Sequence, residues 1–149
     1  MLEVKEIDPM STDGTSLFKR LSQEQIDRYG RDGGFPQEYL AKPEVIFVAG
    51  FLDGMPVGCG AVVPLEPGVG ELSRIFVDSA ARRNGVGAAI MAKLEDEARQ
   101  RYERLVLETG VAQPESIALY EKCGYQSIPC WGKSADNPKS RCYQKVLQA

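Results

Sequence analysis

The sequence predicts a single domain of the α/β (α+β) class, in which helices pack against a mixed β-sheet. The chain, residues 1–149, has the usual length of one domain. Apolar runs on both sides of Asp53-Gly54 predict a tight β-hairpin. Apolar residues then recur every four positions within residues 84–102, which predicts an amphipathic helix. Further short apolar runs follow, so both halves of the chain are expected to supply strands.

The first half is expected to contain one long helix and four strands. The helix is predicted at residues 16–29, after the turn residues 11–14. Glycine and proline interrupt residues 30–43, which predicts a loop with one turn of helix, at the border of a substrate pocket. Apolar runs between turn residues predict strands at residues 2–7, 45–49, 56–63 and 71–77, the last three as an antiparallel meander.

The second half is expected to contain two helices and three strands. The apolar face of the helix at residues 84–102 is formed by Val86, Ile90, Leu94 and Ala98. A shorter helix is predicted at residues 114–123, because Pro114 suits a first helical position and Gly124 follows the end. Apolar runs predict strands at residues 105–107, 125–128 and 140–146.

The overall charge excludes some classes of partner. The chain has 18 Lys and Arg against 21 Asp and Glu, a net charge of −3 and a pI near 5.1. A nucleic-acid backbone attracts concentrated positive charge, so no nucleic-acid partner is expected. The first residues lack a signal-peptide pattern and the apolar runs are too short to cross a bilayer. A cytoplasmic protein without a membrane partner is therefore expected.

The absence of histidine from the sequence removes the Ser-His and Cys-His pairs of many hydrolases, and any zinc site that needs histidine. The cysteines have wide, irregular spacings and form no C-x-x-C pair. They are Cys59, Cys123, Cys130 and Cys142. Reduced thiols and no metal site are expected.

The segment Arg82-Arg83-Asn84-Gly85-Val86-Gly87-Ala88 follows a predicted strand and begins the clearest helix. Glycines let the backbone approach a ligand, and the free N–H groups of a first helical turn suit an anion such as a diphosphate. A P-loop is excluded, because no Lys-Ser or Lys-Thr follows the glycines. A dinucleotide site stays open: Gly85 and Gly87 fit its pattern and Glu108 could bind a ribose, but Ile90 replaces the third glycine.

The R-x-x-G-x-G pattern of Arg82, Gly85 and Gly87 resembles the coenzyme A signature of the GCN5-related N-acetyltransferases (GNAT). The resemblance covers residues 45–145 in the family's element order. It includes ELSRIFV at residues 71–77, LETG at 107–110 and QPESIALYEKCGY at 113–125, and residues 128–129 with 140–143 are similar to a generic bacterial subgroup. The resemblance implies an N-acetyltransferase that uses acetyl-CoA (coenzyme A) as co-substrate.

The resemblance also implies a sheet of about six to seven strands, splayed between the fourth and fifth and flanked by about four helices. Pantetheine would lie in the opening, against backbone groups of Ile75, Phe76 and Val77. Main-chain amides would bind the diphosphate, and these belong to Asn84, Gly85, Val86, Gly87 and Ala88. Arg82 or Arg83 would add positive charge and Ser116 a further contact, although a solvated loop is the alternative for the arginines.

Glu71 and Tyr120 are the expected catalytic residues. Glu71 begins the central strand where some family members carry a base, which is needed because an alkyl amine with a pKa of about 10.4 is protonated at neutral pH. Tyr120 matches the family's tyrosine beside the sulfur and would assist the leaving thiolate. The alternatives are a strand-end charge for Glu71 and a core aromatic for Tyr120. Cys123 is expected to pack rather than react, which favours direct transfer.

The acceptor is expected to be an amine of a small molecule or a protein, bound by the amino-terminal half. Four acids of that half would attract a cationic amine or form a solvated face: Glu24, Asp27, Asp32 and Glu38. A homodimer is also compatible with the resemblance. Two other functions stay open, a non-catalytic coenzyme A sensor of the same fold and a dinucleotide-binding oxidoreductase.

Overall fold

The computed structural model describes residues 1–147. They form a single seven-stranded sheet with helices on both faces. The strands are β1 (Leu2–Glu6), β2 (Ile46–Leu52), β3 (Met55–Glu66), β4 (Val69–Val77), β5 (Arg104–Gly110), β6 (Gln126–Ile128) and β7 (Ser140–Val146). The α-helices are α1 (Thr12–Tyr29), α2 (Gln37–Leu40), α3 (Val86–Ala98) and α4 (Pro114–Lys122). None of the described helices is both long and apolar enough to cross a membrane. The predicted fold class is confirmed.

The strand order is β1-β2-β3-β4-β5-β7-β6, and β1 to β4 form an antiparallel meander in chain order. The β2–β3 hairpin turns at Asp53 and Gly54, whose φ angles are 49° and 83°. Two successive positive φ angles suit a type I′ turn, which Asp-Gly adopts readily. The predicted hairpin and meander are therefore confirmed.

Helices α3 and α4 cover one face of the sheet. The predicted apolar face of α3 is confirmed, since Ile90 and Leu94 are fully buried. A Cβ at Gly60 would lie 2.9 Å from Leu94 Cδ1 and 3.0 Å from Ile90 Cγ2, so glycine on β3 allows a close approach of the helix. The helix ends at Ala98, four residues before the predicted end.

Helices α1 and α2 cover the other face, where Leu17, Leu21 and Leu40 join an apolar cluster with residues of β2 and β3. Helix α1 begins at Thr12, earlier than predicted, because Ser11 caps it: the Gly14 N–H donates to Ser11 Oγ at 3.1 Å. The turn residues at 11–14 are thus the helix start itself.

The sheet opens between β4 and β5, as predicted. These parallel strands pair only from Val69 to Glu71 of β4, opposite Arg104 to Val106 of β5. Beyond that point β4 stays paired with β3 on one side, while β5 pairs with β7. The divergence leaves the β5-facing edge of β4 without a strand partner from Leu72 to Val77.

The prediction of four reduced thiols is wrong, because Cys130 and Cys142 form a disulfide. Cys142 lies on β7 and Cys130 follows β6, and the antiparallel β6–β7 pairing brings their Cα atoms to 5.2 Å. Sequence spacing alone does not reveal such a pair, since the strand register brings it together. Cys59 and Cys123 are free thiols.

Candidate active site

A cavity of about 590 Å³ lies at the opening between β4 and β5. One wall is formed by β4 from Glu71 to Ile75, and another by β5 from Glu108 to Gly110. The remaining walls come from α1, the loop before α2, Tyr120 of α4 and the loop before β7. The volume is in the range of small-molecule sites.

A β-bulge at Arg74 shapes the β4 wall. The β3 partners of Phe76 and Ser73 are Cys59 and Ala61, so β4 contains one extra residue there. Arg74 has a φ of 58°, which is unusual for a residue with a side chain. The Cys59 thiol donates to the Arg74 carbonyl at 3.5 Å across the bulge. The bulge changes the direction of the β4 backbone where β5 has already diverged.

Glu71 lies at the last position of β4 that pairs with β5, and it is one of the residues that line the cavity. Burial raises the pKa of Glu71, and the negative charge of Glu108 on β5 acts in the same direction. Among residues 1–147 no side chain or backbone group donates a hydrogen bond to the Glu71 carboxylate. Glu71 is thus a half-buried acid in the cavity wall, without a hydrogen-bond donor among the described residues.

Tyr120 lies on the sheet-facing side of α4 and is 6 % exposed. Its ring meets the ring of Tyr125 edge to face, with centroids 6.3 Å apart. Burial raises the pKa of the phenol well above its usual value, the Cys123 thiol acts in the same direction, and the Ser116 hydroxyl one turn earlier opposes them. The phenol therefore stays protonated at neutral pH, and Tyr120 is one of the residues that line the cavity.

The N-terminus of α3 is an uncapped helix start. Its N-cap is Gly85, with a φ of 77° and no side chain to accept a hydrogen bond. The N–H groups of Val86, Gly87 and Ala88 have no acceptor within the helix. Asn84 does not cap either, because its side-chain amide donates to the carbonyls of Ala81 at 3.0 Å and Arg82 at 3.3 Å. These amides fit an anion such as a diphosphate.

The two arginines before α3 differ in their surroundings. Arg82 donates to Glu24 of α1 at 2.7 Å, and Glu24 also pairs with Arg28. Arg28 in turn pairs with Glu115 of α4. Arg83 is exposed, has a φ of 71° and forms no ion pair among the described residues. Arg83 is therefore the less compensated charge beside the helix start.

A buried ion pair fixes the loop before α2 to the bulge. The Arg74 guanidinium donates to both oxygens of Asp32, at 2.7 and 2.8 Å, and lies over the Phe18 ring at 4.8 Å. Ser22 Oγ donates to Asp32 at 2.6 Å. These hydrogen bonds, with that of Arg74 the strongest cause, lower the pKa of Asp32 to about 2. A Cβ at Gly34 would lie 2.2 Å from the guanidinium, so a larger residue there would displace the Arg74 side chain or the loop.

The structure brings Glu71, Ile75 and Tyr120 together in one cavity, whereas residues 82–88 lie beyond the end of β4. The Phe76 side chain is buried on the α1 side, and a Cβ at Gly87 of α3 would lie 3.6 Å from Val77 Cγ2. The hypothesis that the acids of the first half attract an amine is not supported for Glu24 and Asp32, because arginines neutralise both. Sequence reasoning missed Arg74, whose positive φ and pairing depend on the bulge register.

Comparison with known proteins agrees with this architecture. Residues 13–125 match the family described as "Acetyltransferase (GNAT) family". An "IAA acetyltransferase" of Azospirillum brasilense is 38% identical over 134 residues, with 83% of this chain and 87% of the relative covered. The uncharacterised N-acetyltransferase YsnE of Bacillus subtilis is 32% identical, with 74% and 75% covered.

Solved structures show the same fold. A putative acyl-CoA N-acyltransferase of Klebsiella pneumoniae superposes with a TM-score of 0.80 at 34% identity, covering 99% of both chains. An aminoglycoside 6'-N-acetyltransferase complexed with coenzyme A gives a TM-score of 0.77 at 20% identity, covering 99% of this chain and 98% of the other. The splayed sheet, the uncapped helix start and these likenesses lead to one conclusion: the chain belongs to the GNAT family and is an N-acetyltransferase.

Proposed function

We propose that the chain uses acetyl-CoA as donor, transfers the acetyl group directly to an amine in the β4–β5 cavity, and does so in the cytoplasm. The observation that carries the proposal is the convergence of Glu71 and Tyr120, from a strand and a helix, on one cavity at the opening of the sheet. The proposed cytoplasmic location is based on the first residues, which lack a signal-peptide pattern. The Cys130–Cys142 disulfide is unusual for a cytoplasmic protein, since disulfides are rare in the cytosol.

The donor would be held by backbone groups of two elements. The unpaired edge of β4 from Leu72 to Val77 offers N–H and C=O groups to the amides of pantetheine, much as a neighbouring strand would. The free amides from Val86 to Ala88 would bind the diphosphate, with Arg83 adding a positive charge. When bound, the thioester supplies an activated acetyl group.

Glu71 would accept the proton of the attacking amine, directly or through water. An ammonium ion has no lone pair, so a proton must leave before or during attack. The pKa of Glu71 is raised by burial and by Glu108, which brings it closer to that of the amine and makes Glu71 a stronger base than an exposed glutamate. In its carboxylate form Glu71 can accept that proton.

Tyr120 would donate a hydrogen bond to the departing sulfur. A free thiol has a pKa of about 8.5, whereas burial holds the pKa of the phenol well above that value. Complete loss of the phenol proton to the thiolate is therefore unfavourable, and a hydrogen bond is the favoured form of assistance. This interaction strengthens as charge develops on sulfur, so it would act in the transition state.

Direct transfer is supported by the state of the cysteines. Burial raises the pKa of Cys59 to about 12. The pKa of Cys123 is also raised, mainly by burial and then by the charge of Glu95. Neither thiol lines the cavity. A thiol with a raised pKa is a weak nucleophile at neutral pH, so an acetyl-cysteine intermediate is not expected.

The test follows thiol release from acetyl-CoA with a panel of amines and identifies the product by mass. The proposal expects amine-dependent release, intersecting initial-velocity patterns and an unchanged rate in Cys123→Ser. Binding without turnover of any amine would favour the coenzyme A sensor instead. Parallel velocity lines, or an acetylated enzyme that disappears in Cys123→Ser, would contradict direct transfer.

A further inference from the structure

The cavity carries charges of both signs that other side chains do not cancel. Arg74 lines the cavity, but its bidentate pair with Asp32 neutralises it. Four other charged side chains line the walls and form no ion pair among residues 1–147. They are Glu71, Glu108, Arg31 and Lys139.

The two acids lie on the strands that form the opening. Glu71 ends the paired part of β4, and Glu108 lies two residues beyond the paired part of β5. They are close enough for the charge of Glu108 to raise the pKa of Glu71. Within residues 1–147, the only group that donates a hydrogen bond to the Glu108 carboxylate is the Ser140 hydroxyl, at 2.7 Å. Two such acids attract an ammonium group to this side of the cavity.

The two cations lie on loops at the edge of the cavity, and both loops are held in place. Arg31 directly precedes Asp32, which is fixed to Arg74. The backbone of Lys139 is bonded on both sides: its carbonyl accepts from the Val111 N–H at 2.9 Å, and its N–H donates to Asn137 Oδ1 at 2.9 Å. Both residues are exposed, and a flexible cationic side chain in such a position can reach an anionic ligand.

We propose that the acceptor is a small amino-carboxylate such as a free amino acid, with its amine at Glu71 and Glu108 and its carboxylate at Arg31 and Lys139. The proposal rests on the proposed function and names the substrate class of the same site. A polyamine fits less well, because its second cation would meet Arg31 and Lys139. The side chain of the acceptor would lie against the apolar part of the wall, which includes Leu21 and Phe35.

The test measures kcat/KM by thiol release for the proteinogenic L-amino acids, for the carboxamide of each, and for spermidine. Arg31→Gln and Lys139→Gln are compared with wild type, and Lys133→Gln is the control, since Lys133 is an exposed lysine of the same β6–β7 connection outside the cavity lining. For each enzyme, kcat/KM for the amino acid is divided by kcat/KM for its carboxamide. The two amines differ in intrinsic reactivity, but this difference is the same for wild type and variant, so it cancels when their ratios are compared. Calorimetry with the coenzyme A-saturated protein measures amino-acid binding separately from turnover.

Wild type should prefer an amino acid over its carboxamide, and each cavity variant should reduce that preference about tenfold, mainly through KM, as expected for one lost charged contact. Lys133→Gln should retain the wild-type ratio. Two results would overturn the substrate class while the proposed function stands. One is a higher kcat/KM for carboxamides or spermidine than for amino acids, and the other is an acid-to-carboxamide ratio that the cavity variants leave unchanged. Failure of every amine to release thiol would overturn the proposed function itself.

Discussion

Replacement of Asp32 by Asn removes the carboxylate that fixes the loop before α2 to the β4 bulge. Arg74 would lose its bidentate partner while remaining almost entirely buried, since its side chain is 5 % exposed. A guanidinium left without a counter-ion in such a position is costly. We expect Asp32→Asn to destabilise the fold and to loosen the wall of the cavity that contains Arg31.

The magnitude follows from the pKa of Asp32. A fall from the ordinary value of 3.8 to about 2 corresponds to about 2.4 kcal/mol, at 1.36 kcal/mol for each pKa unit. For a domain of this size the expected loss in Tm is roughly 5–10 °C. Because the folded pKa is the lower one, this stabilisation is complete above the unfolded pKa and is lost as pH falls towards 2. About half of it should remain at pH 3.

The assay is urea unfolding of wild type and Asp32→Asn between pH 7 and the lowest pH at which both fold. Asp96→Asn is the matched control, since Asp96 pairs with Arg99 on an exposed helix surface. That variant should change the free energy of unfolding by less than about 1 kcal/mol. Equal stability of wild type and Asp32→Asn at pH 7, or a difference that does not shrink at acidic pH, would refute the reasoning.

Three further predictions concern the donor site. Tyr120→Phe should lower kcat about tenfold or more with little change in coenzyme A affinity. The loss in kcat should be smaller for acyl donors with a more acidic thiol. A variant that melts at a lower temperature but keeps its kcat would indicate that Tyr120 only packs. Gly87→Glu should abolish coenzyme A binding in calorimetry by adding negative charge at the α3 start. Gly87→Ala controls for the contact with Leu119, which a Cβ would approach to 2.9 Å. Acetyl-CoA at a hundredfold excess over Kd should stabilise the protein by about 2.7 kcal/mol in thermal unfolding, and NAD should not; the reverse would contradict the site assignment.

The elements predicted from local patterns agree with the structure. The α3 face and the Asp53-Gly54 turn depend on residues close in sequence, so periodicity and turn chemistry suffice for them. The predicted start of α1 is too late, because Ser11 is an N-cap rather than a turn residue. A serine just before a helical stretch is an N-cap signal that the sequence contains, and the bond from the Gly14 N–H to Ser11 shows that it acts as one.

The features missed at the site depend on long-range register. The Arg74–Asp32 pair joins residues 42 positions apart and requires the bulge in β4, which no local pattern predicts. The Cys130–Cys142 bond likewise depends on how β6 pairs with β7. Glu71 and Tyr120 were identified by family resemblance, and only the folded chain brings both to one cavity with Glu108.

The role of Glu71 as base is tested most directly by the pH dependence of kcat/KM for wild type and Glu71→Gln, with one good amine acceptor. Glu66→Gln, at the exposed end of β3, is the control and should behave as wild type. Glu71→Gln is expected to lower kcat/KM about a hundredfold at neutral pH. The difference from wild type should shrink as pH rises, because the amine then loses its proton without assistance. A folded Glu71→Gln enzyme with wild-type rates at every pH would contradict it.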